Sequence, residues 1–225
     1  NREIGINLLR DGVFGERDKL RVKVSYFRNL VRDYLTRTSP NLWEESNYIG
    51  QLFTLRNIDK VELHGHELSL EYDAGYVFMS AGATSYSHIE VCNHGSYRRE
   101  DCTDYGIANS YLNNMIPPNW HANATLGARL LDWRLTFGAR ATVMGQRNSQ
   151  PRSYDDTLHG SNWVVPWHKY AIYDLFASYR ISKQLNAALN VDNLRDRFYV
   201  DANASAVLAI PSPGRTAKFS LTYTY

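Results

Sequence analysis

The sequence lacks the features that mark membrane-spanning helices, nucleic-acid-binding proteins and most enzymes. No run of roughly 18 apolar residues occurs, which excludes a transmembrane helix. Neither sign of charge is in excess, because the sequence has 25 Lys and Arg and 23 Asp and Glu. The resulting net charge of +2 does not suggest a nucleic-acid partner. No Ser-His-Asp order, glycine-rich phosphate loop or metal-ligand cluster stands out, so we expect neither an enzyme nor a metal site.

What the sequence does contain is a repeated alternation of apolar and polar residues. In the closing segment RTAKFSLTYTY, Phe219, Leu221 and Tyr223 share one face of an extended strand, because successive side chains point to opposite faces. The same pattern recurs in LRVKVSY, ELSLEY, WHANATLGARL, WRLTFGARATV and YDLFASYRI. Such strands suit either a soluble sandwich or a transmembrane barrel, whose average hydropathy is lowered by the polar residues of its lumen.

The lengths of the strands and of their connections favour the barrel. Many of the strands have the roughly 9–11 residues that a tilted strand needs to cross a bilayer. Tight turns near GERDK, DAG, LD and SKQ alternate with long connections near 37–57, 90–117, 148–166 and 201–213, as in outer-membrane barrels with tight periplasmic turns and long external loops. We therefore predict an all-β, antiparallel transmembrane barrel with nine strands near residues 2–12, 20–36, 58–73, 76–89, 118–131, 133–147, 167–181, 184–200 and 214–225.

The alternation is already under way at the first residues, where Ile4, Ile6 and Leu8 oppose Glu3 and Asn7. No signal peptide precedes this strand. A bacterial single-chain barrel has an even number of strands, and an open sheet edge is not tolerated in lipid. We therefore expect residues 1–225 to be the C-terminal portion of one larger barrel domain.

The last 36 residues carry a more specific pattern. The segment NVDNLRDRFYVDANASAVLAIPSPGRTAKFSLTYTY resembles the end of TonB-dependent receptors, in which an Asn-Leu-x-Asp-x-x-Tyr segment precedes a loop, a Pro-Gly-Arg and one closing strand. Here the first motif stands as Asn193, Leu194, Asp196 and Tyr199, and Pro213, Gly214 and Arg215 follow. VSYFRNLVRDYL and VELHGHELSLEYDAG also resemble strand pairs of this family, and REIGINLL resembles a strand of its haem and haemophore receptors.

The resemblance implies a multi-pass protein of the bacterial outer membrane with a 22-strand barrel and an N-terminal plug. Such a receptor would take up haem, delivered by a secreted haemophore, with energy supplied through the TonB complex. Haem would be the transported ligand rather than a bound cofactor, and its axial ligands and the contact with TonB would lie outside residues 1–225. A ferric-siderophore receptor is the alternative within this class, and a structural barrel or adhesin is the alternative outside it.

The predicted external loops contain residues that could contact a ligand or a protein partner. The first long loop carries more apolar surface than a water-exposed loop needs. The second is polar and aromatic, and two histidines lie in external loops. The apolar side chains of the first loop could instead pack against neighbouring loops, those of the second could cover that loop's own backbone, and the histidines could simply be solvated. The candidate contacts are Trp43, Tyr48, Ile49, Leu52, Phe53, His94, Tyr97, Arg98, Tyr105 and His159.

Cys92 and Cys102 are the only cysteines and lie within one polar loop. An external position permits oxidation, and closing a loop of this size would contribute about 2–3 kcal/mol to stability. We therefore predict a disulfide, with two free thiols as the alternative. A cysteine pair is too small for a structural zinc site, although the nearby His88 and His94 leave metal binding as another alternative.

The polar faces of the strands carry charges of both signs. We expect these side chains to form a mixed-charge lumen wall and Trp133 to face outward from the strand at 133–147. The predicted inward charges are Arg21, Lys23, Arg129, Arg134, Arg140 and Lys218 opposite Glu67, Glu71, Asp174 and Asp192.

Overall fold

The residues that follow a period of two form a single antiparallel sheet. The computed structural model describes residues 1–38, 54–93, 102–105, 116–148, 168–200 and 211–225. Nine long strands lie side by side in chain order, and a two-residue strand pairs with the end of the fourth, so the predicted all-β antiparallel architecture is confirmed. Among these residues no helix has the length and apolar character to cross a membrane. The strands are β1 (Arg2–Asp11), β2 (Lys19–Thr38), β3 (Thr54–Asp73), β4 (Val77–Cys92), β5 (Cys102–Thr103), β6 (Trp120–Leu130), β7 (Leu135–Met144), β8 (Tyr170–Arg180), β9 (Leu185–Asp192) and β10 (Thr216–Tyr223).

Most predicted strand bounds differ from the structure by up to four residues, and in two places the backbone turns where a strand was predicted. The strand predicted from residue 133 begins at Leu135, because Leu131, Asp132 and Trp133 adopt positive φ angles of 55°, 52° and 65°. Trp133 therefore lies in a turn and not in a strand. The strand predicted to reach residue 200 ends at Asp192, because Asn193 has a φ of 50°.

The register places the apolar residues of successive strands in continuous rows on one face. One row pairs Leu8 with Val22, Val22 with Leu70 and Leu70 with Ala81, and continues through Ala124 and Ala141 to Tyr173. We call the face that carries Val24 and Leu68 the outer face, and the opposite one, with Lys23 and Ser69, the inner face. Large apolar side chains on the outer face are exposed, as is typical of a barrel wall that faces lipid. They include Ile4, Ile6, Leu8, Val24, Leu68, Leu126, Leu189, Phe219 and Leu221.

The inner face carries the predicted mixture of charges. Lys23 Nζ lies 2.9 Å from Glu3, Arg21 lies 3.8 Å from Glu71, and Lys218 lies 3.1 Å from Asp192. Such exposed pairs contribute about 0–1 kcal/mol each, so they keep the wall polar more than they stabilise it. The prediction that Arg134 lines the lumen wall is wrong. Its guanidinium donates to the carbonyl oxygens of Arg180 and Ile181 at a turn.

The short connections all lie at one end of the sheet, where polar side chains stabilise them through hydrogen bonds. In the turn between β1 and β2, the Asp18 carboxylate accepts hydrogen bonds from the backbone amides of Val13, Phe14 and Gly15. Between β3 and β4, both terminal nitrogens of Arg129 donate to the Asp73 carboxylate, at 2.9 and 3.0 Å. The long connections therefore leave from the opposite end of the sheet.

Three inner-face glycines each lie beneath a phenylalanine ring of the neighbouring strand. Phe27 covers Gly65, Phe78 covers Gly127 and Phe176 covers Gly138, and a Cβ on any of the glycines would lie 2.7 Å from a ring carbon. The Arg129 and Arg140 guanidinium groups lie over the rings of Phe78 and Phe176, at 4.3 and 4.7 Å. The glycines therefore let the rings lie flat on the wall, which strengthens cross-strand packing at positions that would otherwise weaken it.

Substituting Gly138 with Ala should destabilise the barrel by about 1–3 kcal/mol, the usual cost of overpacking. The added Cβ would meet the carbonyl oxygen of Leu126, the Phe176 ring at 2.7 Å and the Gly127 Cα at 2.8 Å. The matched control is Gly82→Ala, whose Cβ would make ordinary contacts with the Asn123 side chain, the nearest atom at 3.4 Å. Urea unfolding of the full-length receptor in liposomes measures both, and equal stability of the two variants would contradict this packing.

Candidate functional site

Strands β2, β3 and β4 continue well beyond the rest of the sheet. β1 pairs with β2 only as far as Arg28, and β6 pairs with β4 only as far as Ser85. β2 and β3, each 20 residues long, remain paired to Thr38 and Thr54. We call residues 28–38, 54–64 and 86–92 the extension. It leaves the sheet at the end from which the long connections depart.

The polarity of both faces reverses where the extension begins. On the inner face, Val61, Ile89 and Val91 are buried in one apolar cluster with Ile58 and Ile116, against which Tyr34, Leu63 and Tyr86 pack. On the outer face, the apolar row gives way to Arg28, Lys60, Glu62, His64, His88 and Glu90.

The reversal coincides with a β-bulge between His64 and Gly65, where β4 contributes the additional residue Ser87. The Tyr26 and His66 rings lie 5.3 Å apart at the last outer-face position before it. Aromatic rings at this level are typical of the girdle that borders the hydrocarbon of a barrel. The bulge therefore marks the outer boundary of the lipid-facing wall.

A disulfide fixes the tip of β4. The Cys92–Cys102 bond joins residues ten positions apart and pairs β5 with β4, so the predicted disulfide is present in the structure. Cys92 is fully buried. Nearby, the buried Arg147 donates to the carbonyl oxygen of Ile116 at 2.7 Å and so connects the apolar cluster to the end of β7.

Glu62 is the centre of a charged network on the outer face of the extension. Its carboxylate is buried and accepts hydrogen bonds from Arg28 at 2.6 and 2.9 Å, while His64 Nε2 lies 2.8 Å away. Lys60 donates to its second oxygen at 3.3 Å and also pairs with Glu90. The hydrogen bond with His64, together with those from Arg28 and Lys60, outweighs burial and lowers the pKa of Glu62 to about 2.

One predicted contact residue lies within the described part of the chain. Tyr105 lines an open groove of about 440 Å³ between β4, β5 and the ends of the neighbouring connections. His88, Glu90 and Asn148 line the same groove, and the Asn148 side chain donates to Asp104 at 2.9 Å. Trp43, Tyr48, Ile49, Leu52, Phe53, His94, Tyr97, Arg98 and His159 lie outside the described residues, and their roles stay predictions.

The Asn-Leu-x-Asp-x-x-Tyr motif forms a turn that connects β9 to β10. Asn193 accepts from the Arg197 amide at 2.9 Å and donates to its carbonyl oxygen at 2.8 Å. Asp196 accepts from the Arg215 amide at 2.7 Å. Asn193 and Asp196 both have positive φ angles, which Asn and Asp tolerate better than most residues. The motif is therefore explained by backbone geometry at the entrance to the last strand.

The Glu62 network was not predicted from the sequence. The pattern around His64 and His66 does not define which way they face, whereas the register places both on the outer face. The sequence contains one signal that could have indicated this network. Residues 62–64 read Glu-Leu-His and residues 88–90 read His-Ile-Glu, which is the same polar pattern in reverse order. Those triplets become one cluster only through the register of β3 and β4, which includes the bulge.

Residues 1–194 match the family model described as TonB dependent receptor-like, beta-barrel. The chain therefore belongs to the TonB-dependent receptor family. This family consists of outer-membrane receptors, which agrees with the lipid-facing wall and the unequal connections.

Relatives in this family differ in the ligands that their names give. The chain is 29% identical to the hemophilin receptor of Acinetobacter baumannii, over 89% of this chain and 20% of that protein. It is 27% identical to the probable TonB-dependent siderophore receptor PiuA of the same species, over 76% of this chain and 22% of that protein. Among solved structures, a double mutant of the Serratia marcescens hemophore receptor HasR, in complex with its hemophore HasA and heme, aligns with a TM-score of 0.65 at 25% identity, covering 98% of this chain and 30% of HasR.

Replacing Glu62 with Gln should destabilise the extension by about 1–3 kcal/mol, because the charge-assisted hydrogen bonds are lost. The control is Glu71→Gln, whose exposed pair with Arg21 contributes at most about 1 kcal/mol. Hydrogen exchange of the peptide covering 56–64 in the full-length receptor measures the difference. Equal protection in both variants would contradict a central role for Glu62.

The Glu62 contribution should also depend on pH. Its pKa in the folded protein is about 2 and its ordinary value is 4.5, so the contribution is fully present above pH 4.5 and is lost as the pH falls toward 2. The stability difference between the native protein and Glu62→Gln should therefore shrink over that range. A difference that stays constant down to pH 2 would show that the carboxylate is not the stabilising species.

Reducing the Cys92–Cys102 bond should release β5 from β4 without unfolding the barrel. The bond closes a short loop, so its loss should cost about 2–3 kcal/mol locally. Peptide mapping without reductant should recover residues 92 and 102 in one linked fragment. After reduction, hydrogen exchange should rise around 91–92 and 102–103 and stay unchanged in β7. Recovery of two free thiols from the untreated protein would contradict the bond.

Proposed function

We propose that this chain supplies barrel wall and external loops to an outer-membrane receptor that takes up haem delivered by a haemophore. The similarity to the hemophilin receptor over 89% of the chain carries this proposal. The alignment with HasR, solved with its hemophore and heme, supports it. Haem is the cargo of the receptor and not a resident cofactor.

The extension gives the first long loop a rigid base. Residues 39–53 connect Thr38 of β2 with Thr54 of β3, and the paired strands beneath them are anchored by the buried Ile58 and the Glu62 network. A rigid base lowers the entropy lost when a loop binds a partner. We assign Trp43, Tyr48, Ile49, Leu52 and Phe53 to contact with the haemophore, because large apolar and aromatic side chains dominate such interfaces.

The disulfide closes the first part of the second loop. Residues 94–101 lie between Asn93 and Cys102, so the Cys92–Cys102 bond limits how far His94, Tyr97 and Arg98 can move. Tyr105 lies in the groove just beyond. We propose that these residues form a polar, aromatic rim next to the apolar first loop, and that His159 joins them from the third loop.

The inner face would line the path that haem follows through the lumen. Its alternating cations and anions keep the wall hydrated and allow polar contacts with a plug that must move. The proposed mechanism is capture at the loops, followed by plug movement driven from the inner membrane through TonB. The residues of this chain bind and guide in that process and carry out no bond-breaking chemistry.

The chain spans 20% of the length of the hemophilin receptor and 30% of HasR. We propose that residues 1–225 belong to one barrel domain whose other strands, plug, haem ligands and TonB contact are supplied by the remaining parts of the receptor. Closure with those strands would pair the free edges of β1 and β10, which end the described sheet.

A ferric siderophore is the second candidate cargo. The similarity to PiuA, 27% over 76% of this chain, favours it nearly as well as the haem relatives favour haem. The wall and the extension would serve either cargo. The two candidates differ in the ligand and in whether a protein delivers it.

Absorption spectroscopy of the intact receptor in detergent tests the proposal. Haem should give a Soret band, and the haemophore should form a stable complex with the receptor. Replacing Trp43, Tyr48, Ile49, Leu52 and Phe53 together with Ser should abolish that complex and leave the Soret band, while Glu44→Ser with Glu45→Ser in the same loop serves as the control. If no Soret band appears with the intact receptor, the siderophore becomes the better candidate.

A further inference from the structure

Two histidines and two glutamates form a square on the outer face of the extension. His64 of β3 lies directly opposite His88 of β4, and Glu62 lies directly opposite Glu90. The His64 and His88 rings are 4.9 Å apart. Ligand atoms of Glu62, His88 and Glu90 all lie within 4.8 Å of one another. Three potential ligands on two adjacent strands thus converge, and His64 lies next to them, with its Nε2 2.8 Å from Glu62.

The chemistry of these side chains is that of a transition-metal site. Imidazole nitrogen and carboxylate oxygen are ligands of Zn²⁺ and of its neighbours in the periodic table. Glu62 already holds the His64 ring through its Nε2 at 2.8 Å, as carboxylates do for metal-binding histidines. His88 is exposed and, with Glu90, lines the groove of about 440 Å³, so an ion could reach the square from water.

A cation already occupies part of the square. The Lys60 ammonium lies 3.3 Å from Glu62 and also pairs with Glu90, so it bridges the two carboxylates. Two carboxylates directly opposite each other on neighbouring strands repel, and Lys60 offsets that repulsion. The arrangement therefore requires positive charge at this point, and a dication could take the place of the ammonium.

We propose that His88, Glu90 and Glu62 bind a divalent transition-metal ion of the Zn²⁺ type, with His64 hydrogen-bonded to Glu62 beside it and with displacement of the Lys60 ammonium into water. The ion would clamp β3 to β4 just outside the lipid-facing wall, next to the disulfide. It would hold the base of the two loops that flank these strands. The site is separate from the path of the cargo and does not depend on whether the cargo is haem or a siderophore.

The experiment uses the full-length receptor, freed of metal with a chelator and titrated with Co²⁺, whose visible absorption reports on its ligands. Zn²⁺ should then displace Co²⁺ and remove the band. His88→Ala should weaken Co²⁺ binding by at least about tenfold, because even the loss of a side chain that only hydrogen-bonds a metal ligand typically costs that much. His121→Ala is the control, because His121 lies on the inner face, opposite Thr84, and should leave the band unchanged.

Lys60→Gln should change the affinity for Co²⁺ in the opposite direction to His88→Ala. Removing the competing ammonium should tighten Co²⁺ binding several-fold, whereas simple damage to the extension would weaken it. The barrel fold of each variant is checked by its shift in electrophoretic mobility on heating. The proposal is overturned if the native receptor shows no Co²⁺ band, if His88→Ala binds as tightly as the native protein, or if Lys60→Gln binds more weakly.

Discussion

Backbone hydrogen bonding between neighbouring strands is the constraint on which the rest of the structure depends. In hydrocarbon no water can satisfy a peptide group, so a chain that crosses it as strands must pair every one of them. The meander of nine long strands meets this requirement between β1 and β10. Once the register is set, each side chain has a fixed face. The alternation then separates the lipid-facing side chains from those that face water.

The same constraint explains why the extension reverses its polarity. Above the bulge at His64 the outer face meets water and headgroups, so it carries Arg28, Glu62 and His88 in place of aliphatic residues. The inner face no longer borders a water-filled lumen, and there Val61, Ile89 and Val91 form a small core. The same three strands thus form a lipid-facing wall at one end and, at the other end, pack as in a soluble protein. The extension thereby supports the first long connection at its base.

The sequence predicts the wall well because a period of two is a strong and repeated signal. All nine long strands and the face of Val24, Lys23, Leu68 and Ser69 follow from it, and the spacing and external position of Cys92 and Cys102 predict their disulfide. The errors lie where the period is interrupted. Positive φ angles at Leu131, Asp132 and Trp133 place Trp133 and Arg134 in a turn, and those at Asn193 and Asp196 end β9 early. Within β2, Asp33 also has a φ of 52°, and Tyr34 after it packs against the apolar cluster.

The charged square was beyond the reach of the sequence for a related reason. Glu62 and Glu90 are far apart in the chain, and the extra residue Ser87 shifts the register that brings them together. Only the paired strands show that Glu62, His88 and Glu90 converge and that Lys60 lies between the carboxylates. The apolar residues of the first long loop, in contrast, were predicted as partner contacts from composition alone, and that role stays a proposal.

The reversal of the two faces at the bulge is the central claim, and nitroxide accessibility in lipid bilayers tests it most directly. Val24 and Arg32 lie on the same outer face of β2, on either side of the bulge level. A label at position 24 of the full-length receptor should be relaxed by oxygen and protected from a water-soluble nickel complex, and a label at position 32 should show the opposite. Equal accessibility of the two labels to the nickel complex would contradict the boundary and with it the assignment of the outer face.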